Sequence, residues 1–148
     1  MSTLDDRVVA PVLDTAAAEV ARLINVARAA LLRSGSAVTI DMLADGRDSS
    51  AAAARQWLTR RRAEGRLVTV PHNGAVLVPT FQLDAAFGLN EAAADVVKRL
   101  LGYEMDGWAI WDWAVTPNAW LDGRTPAEML AEGRTDPVGR AVAGLFQE

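Results

Sequence analysis

Between positions 55 and 66 stand five arginines, Arg55, Arg60, Arg61, Arg62 and Arg66, with Gln56 and Thr59 among them. A guanidinium matches the O6 and N7 acceptors of guanine, and a glutamine amide matches the edge of adenine. Arg55 and Gln56 are therefore candidates to read bases in a DNA major groove, with Thr59 beside them, and Arg60, Arg61, Arg62 and Arg66 are candidates to hold phosphates. Just upstream, Ser49, Ser50 and Ala51 combine two hydroxyls with the free backbone N–H groups of a helix start, a setting that suits a phosphate. Downstream, His72 and Asn73 stand in a turn placed to meet the adjacent groove or backbone. A run of arginines also occurs simply as the solvated face of a helix, so the surrounding elements must decide.

Other chemistry has few residues to work with. The absence of cysteine removes disulfides, zinc ribbons, iron–sulfur clusters and thiol catalysis, and the single histidine, His72, argues against a histidine metal site or catalytic triad. Asp and Glu are the only abundant acid–base residues, none paired in a recognisable motif, and no glycine-rich phosphate loop occurs. Neither an enzymatic activity nor a cofactor is expected. Charge is uneven: residues 33–66 carry 7 arginines against 4 acids, whereas residues 67–148 carry 5 basic residues against 11 acids, within a net charge of −4. A basic island in an acidic chain fits a small DNA-reading element joined to a different module. With 51% apolar and 23% charged residues over 148 positions, the chain should be globular, as one ordinary domain or two small ones. No run approaches the roughly 18 apolar residues of a membrane helix, and Asp5 and Asp6 are unlike a secretory signal. A cytoplasmic location without membrane partners is expected.

The basic residues need a helix seated on a core, and hydrophobic periodicity supplies the elements. Val20, Leu23, Ile24, Ala27 and Leu31 form the stripe of an amphipathic helix over 15–33, capped by Asp14 or Thr15 and ended by Gly35. Before it, residues 8–13 are apolar but too short for a helix of their own. They are expected as a strand or loop closing the core, or as an arm on a partner subunit. Val38-Thr39-Ile40 then leads into a short helix over 41–45 and a polar break at Gly46-Arg47-Asp48. A longer helix over 50–63 has Ala54, Trp57 and Leu58 as its inward positions and stops at Gly65. There the period becomes two. Leu67, Val68 and Val70 and the run 75–78 flank Pro71-His72-Asn73-Gly74, an Asn-Gly hairpin signal, and 80–84 reads as an extended exit.

Helix, helix, longer helix and hairpin is the order of a winged helix-turn-helix. Ala44, Ala54 and Trp57 have the matching spacing: the first must be small where two helices cross, and the later two pin the recognition helix to the core. In the turn, Asp48 stands where glycine is preferred for a positive φ, which Asp tolerates better than most residues. Double-stranded DNA is the expected partner. One recognition helix and wing cover little DNA, so a homodimer is expected through the helix 15–33 and the arm 8–13.

From residue 90 the pattern is helical. Asn90 caps a helix over 91–101 with Val96, Val97, Leu100 and Leu101 inward, and Trp108, Trp111 and Val115 mark a short aromatic helix ended by Pro117. Thr125-Pro126-Ala127-Glu128 is a capping box with proline at the first helical position, and Asp136-Pro137 repeats the cap-plus-proline device. The segment 111–133 resembles the toxin-binding domain of the Xre/MbcA/ParS-type antitoxins: a Trp-bearing helix, Pro117-Asn118, then Leu121, Gly123, Thr125-Pro126, Glu128 and Leu130 in order, then Gly133, with Asp136 and a final helix behind. The resemblance covers about residues 90–148. It implies that this domain packs on a RES-domain toxin, an enzyme that consumes NAD, with residues 143–148 approaching the toxin's active site.

Four of the five tryptophans, Trp108, Trp111, Trp113 and Trp120, lie within 13 residues. Trp113 falls on the opposite helix face from Trp108 and Trp111, so that helix is either buried on both sides or exposes an aromatic patch that a partner covers. Trp113, Trp120, Arg124, Leu145 and Phe146 are the candidate partner-binding residues. The expected fold is thus mainly α with a small β-hairpin: a winged helix-turn-helix over 1–84 followed by a small helical domain over 85–148. The expected function is a DNA-binding transcriptional regulator, an antitoxin that represses its own operon and neutralises a RES-type toxin. The alternative is a regulator or nucleoid architectural protein whose C-terminal domain serves self-association without a toxin.

Overall fold

The computed structural model describes residues 2–146, with side chains from Asp14 onward. The chain is mainly helical with one small three-stranded antiparallel sheet. It divides into two compact units, 1–34 and 35–148.

The first unit is a single helix, α1 (Ser2–Arg33). Its backbone takes in residues 8–13, where a strand or loop was expected; any packing role of those side chains lies outside the described residues. Ala16, Ala17 and Ala18 favour the helix because alanine loses no side-chain entropy there. The predicted apolar stripe is present, yet Val20, Leu23 and Ile24 are 56%, 53% and 43% exposed.

The second unit opens with β1 (Ala37–Thr39), which leads directly into α2 (Ile40–Gly46). Thr39 caps α2 by accepting the Met42 N–H at 3.2 Å. Asp48 takes φ +53° in the turn that follows, the left-handed geometry the sequence called for. Ser50 then caps α3 (Ala51–Ala63) by accepting the Ala53 N–H at 3.1 Å. Strands β2 (Val70–His72) and β3 (Ala75–Pro79) are joined through Asn73 (φ +50°) and Gly74 (φ +74°). Two successive positive φ values give a turn whose twist matches its strands. The sheet order is β1-β3-β2, with Val38 opposite Val78 and Val70 opposite Leu77. The expected hairpin therefore gains a third strand, and Pro79 lies inside β3, opposite Ala37. Residues 80–82 form a 3-10 turn in place of the expected extended exit. Leu43, Ala44, Ala54, Leu58, Leu67 and Val78 make the core beneath α3, with Trp57 partly buried against it.

Four helices complete the unit: α4 (Glu91–Gly102), α5 (Gly107–Val115), α6 (Pro126–Ala131) and α7 (Thr135–Phe146). Asn90, Asp106 and Thr125 cap the first three. Helix α7 begins at Thr135, so Asp136 belongs to its first turn and is not the cap expected. Val97, Leu100, Ile110, Trp111, Leu130, Val138 and Val142 are buried.

The compact units part at 34/35 rather than at the expected 84/85, because polar contacts join what lies on either side of residue 84. The Trp111 indole N–H donates to Ser36 Oγ at 2.9 Å, and Arg66 forms an ion pair with Glu91 at the start of α4. Ahead of residue 84, Gln82, fully buried, accepts the Val68 N–H at 2.7 Å and donates to the Val68 and Pro79 carbonyls at 2.9 and 3.1 Å.

Candidate functional site

The spacing of α3 sends Ala54 and Leu58 into the core and leaves Arg55, Gln56, Thr59, Arg60 and Arg62 exposed. The Thr59 hydroxyl is already engaged, donating to the Arg55 carbonyl at 2.9 Å. At the helix start, Ser49 is exposed and Ala51 half-buried, while the Ser50 oxygen takes the Ala53 N–H. At the hairpin tip Asn73 is exposed and approaches the half-buried His72, Nδ2 to Nε2, at 3.3 Å.

Two expected phosphate ligands stand apart from this set. Arg66 is held by Glu91. Arg61 is half-buried: it lies 3.3 Å from Glu64, its Cζ is 5.9 Å from the Trp57 ring centroid, and its Nε is buried with no hydrogen-bond partner. Arg47 sits closer to the same ring, with Cζ 4.1 Å from the centroid, and donates to the Phe87 carbonyl at 2.8 Å. A guanidinium over an indole face is attracted by the ring quadrupole, so Arg47 and Arg61 hold Trp57 and with it the seat of α3. Phe87, at φ +58°, lays its ring over Gly46, where any Cβ would collide with it. Sequence reasoning missed the roles of Arg47 and Phe87. The only signal was that Arg47 stands where a helix-turn-helix more often has an apolar residue.

On the C-terminal helices the five expected partner residues separate. Trp120 and Leu145 are 64% and 47% exposed. Trp113 is half-buried, and Phe146 stacks on Tyr103 with ring centroids 3.7 Å apart. Arg124 is clasped by Glu132 at 2.6 Å and Glu128 at 3.1 Å, which raises its pKa, Glu132 contributing most. The same guanidinium lowers the pKa of Glu132. The Trp120 ring covers Gly144, where a Cβ would strike it. Trp120 also helps to line, with residues that include Arg124, Met129, Arg134, Pro137 and Arg140, a cleft of about 180 Å³. Among the described residues no group of three or more His, Cys, Asp or Glu could hold a metal ion, and no helix is long and apolar enough to cross a membrane.

No family model and no curated protein matches the chain. Among solved structures, the NMR structure of Rv2175c is similar, with a TM-score of 0.57 and 21% identity over 72% of this chain and 79% of that one. At that identity the likeness concerns the fold.

Proposed function

We propose that the chain is a non-enzymatic DNA-binding transcriptional regulator of the winged helix-turn-helix type, working in the cytoplasm and on the nucleoid as a homodimer. Helix α3 is the recognition helix and the β2–β3 turn the wing. The observation that carries this reading is the exposure of Arg55, Gln56, Thr59, Arg60 and Arg62 together on α3, above an apolar seat of Ala54, Leu58 and Trp57. Exposed cations serve phosphates, and Arg55 and Gln56 offer the bidentate groups that discriminate bases. The test is selection of duplexes from a random library, followed by anisotropy titrations at several salt concentrations. Enrichment of a paired half-site is expected, and Arg55→Ala and Gln56→Ala should each cost about 1–3 kcal/mol of discrimination. Failure to bind any duplex at low salt would refute the proposal.

A second reading makes this regulator an antitoxin for a RES-domain toxin. It is favoured by the resemblance of 111–133 to the antitoxin domain and by the exposure of Trp120 and Leu145, an aromatic and an apolar side chain suited to anchor an interface. Co-expression with the neighbouring gene product, followed by pull-down and a growth assay, tests it. Removing 145–148 should abolish neutralisation and leave DNA affinity within a few-fold. If no partner co-purifies and the truncation disrupts self-association instead, the domain belongs to a regulator or architectural protein without a toxin.

A further inference from the structure

We infer that the cleft beside Trp120 binds a small organic molecule, a carboxylate carried on a flat apolar body. The site is separate from α3 and does not depend on the DNA-binding proposal. All of the cleft lies within the second compact unit. Residues 67–148 are acidic, yet three of their five Lys and Arg residues, Arg124, Arg134 and Arg140, line this one cleft. The three are not equivalent. Arg124 is committed within the fold: its Nε donates to Glu128 at 3.1 Å and its two Nη atoms to the two oxygens of Glu132 at 3.0 and 2.6 Å. Glu132, with both oxygens taken, stays 3.9 Å from Arg134 Nη1, beyond hydrogen-bond range. Arg140 is exposed and has no ion pair or side-chain hydrogen bond among the described residues. Two guanidinium groups therefore reach the cleft with open N–H donors.

The rest of the lining defines what those donors would hold. Trp120 offers an exposed indole, and Leu121, Met129 and Pro137 add apolar surface. A guanidinium fork matches a carboxylate bidentately, and an indole stacks on a flat ring. An inorganic anion would leave the indole in water, and a neutral aromatic would leave the arginines unused. Charge selects a monoanion. Among the described residues, Asp122 is the one acid in the lining, and Glu128 and Glu132 behind Arg124 make the neighbourhood three charges against three. A single carboxylate meets less repulsion there than a phosphate dianion. At about 180 Å³ the cleft is smaller than the roughly 300–1,000 Å³ pockets of drug-sized ligands. A molecule of about ten non-hydrogen atoms is the expected occupant, bound in the millimolar range.

The test is isotope-edited NMR titration of the full chain with phenylacetate, phenylacetamide and inorganic phosphate. Phenylacetate should shift the Trp120 indole N–H and the backbone amides of Arg134 and Arg140. Phenylacetamide, which keeps the ring without the charge, and phosphate, which lacks the ring, should each bind at least about tenfold more weakly. Arg134→Ala and Arg140→Ala should each weaken phenylacetate about tenfold, and Trp120→Ala about fivefold. Asp122→Asn should tighten it about twofold by removing a like charge. Lys98→Ala, an exposed cation outside the lining, should leave it unchanged, and circular dichroism checks that all variants are folded. No shift at Trp120 by about 20 mM phenylacetate, equal binding of phosphate or of the amide, or a Lys98→Ala as damaging as Arg140→Ala would overturn the inference. A capped tetrapeptide holding aspartate beside phenylalanine presents the same chemistry from a protein. If it binds about tenfold more tightly than phenylacetate, the cleft belongs to a protein partner and the small-molecule assignment falls.

Discussion

If α3 is a recognition helix, its arginines should not be equivalent, and the salt dependence of binding distinguishes them. Arg62 is exposed, whereas Arg61 is turned to Glu64 at 3.3 Å and to the Trp57 ring at 5.9 Å. Each phosphate neutralised releases counterions and contributes about −0.9 to the slope of log K against log salt. Arg62→Ala should therefore flatten that slope by about 0.9. Raising salt from about 50 to 200 mM, a fourfold change, would then weaken the variant about 3.5-fold less than the wild type. Arg61→Ala should leave the slope within error and act instead through Trp57, lowering stability by about 0.5–1 kcal/mol for a partly exposed cation–π contact. Anisotropy with one fixed duplex at four or five salt concentrations gives the slopes, and urea unfolding gives the stabilities. If Arg61→Ala flattens the slope as much as Arg62→Ala, the reasoning from burial fails and Arg61 leaves Trp57 to reach DNA.

Gln82→Leu should cost on the order of 3 kcal/mol in urea unfolding, since it strips hydrogen bonds from the buried Val68 N–H and from two carbonyls; a loss under about 1 kcal/mol would mean that the backbone rearranges to satisfy them. Gly144→Ala should displace the exposed Trp120 ring rather than unfold α7, shifting tryptophan emission with little change in Tm, and an unchanged spectrum would refute the covering of Gly144 by that ring. Glu132 should titrate below the usual carboxylate range in carboxyl-resolved NMR, because Arg124 lowers its pKa. A carboxyl lowered by folding favours the native state above its unfolded pKa and loses that contribution as pH falls through the folded one. Arg124→Gln should return Glu132 toward its ordinary value, and a Glu132 titration that does not move would disprove the pairing.

Features written in local chemistry were legible in the sequence. Ser50, Asn90 and Thr125 announced helix starts because a side-chain oxygen two or three residues before a free N–H caps it wherever it occurs. Asn73-Gly74 announced the hairpin because few residues accept two successive positive φ values. Ala44, 4% exposed, was readable as the small residue at a helix crossing, and Ala54, fully buried, as an inward position of α3. The exposed set on α3 followed from the helical period alone, since Ala54 and Leu58 fix which side faces in.

What escaped depended on residues distant in the chain. Nothing near Arg66 signals Glu91, 25 positions on, and nothing near Arg47 signals the Phe87 carbonyl, 40 positions on. Arg66 looked like a free cation in a basic run, and Arg47 like part of a polar break, because a local reading has no access to their partners. The compact units part at 34/35 and not at the expected 84/85 for the same reason. The change from strand to helix pattern there is real, but Phe87 and Trp111 reach back to Gly46 and Ser36, so one compact unit crosses it. The stripe on α1 shows the converse limit. Its period is visible in the sequence, but period alone cannot say which members of the stripe are buried: Leu31 is, while Val20, Leu23 and Ile24 are exposed.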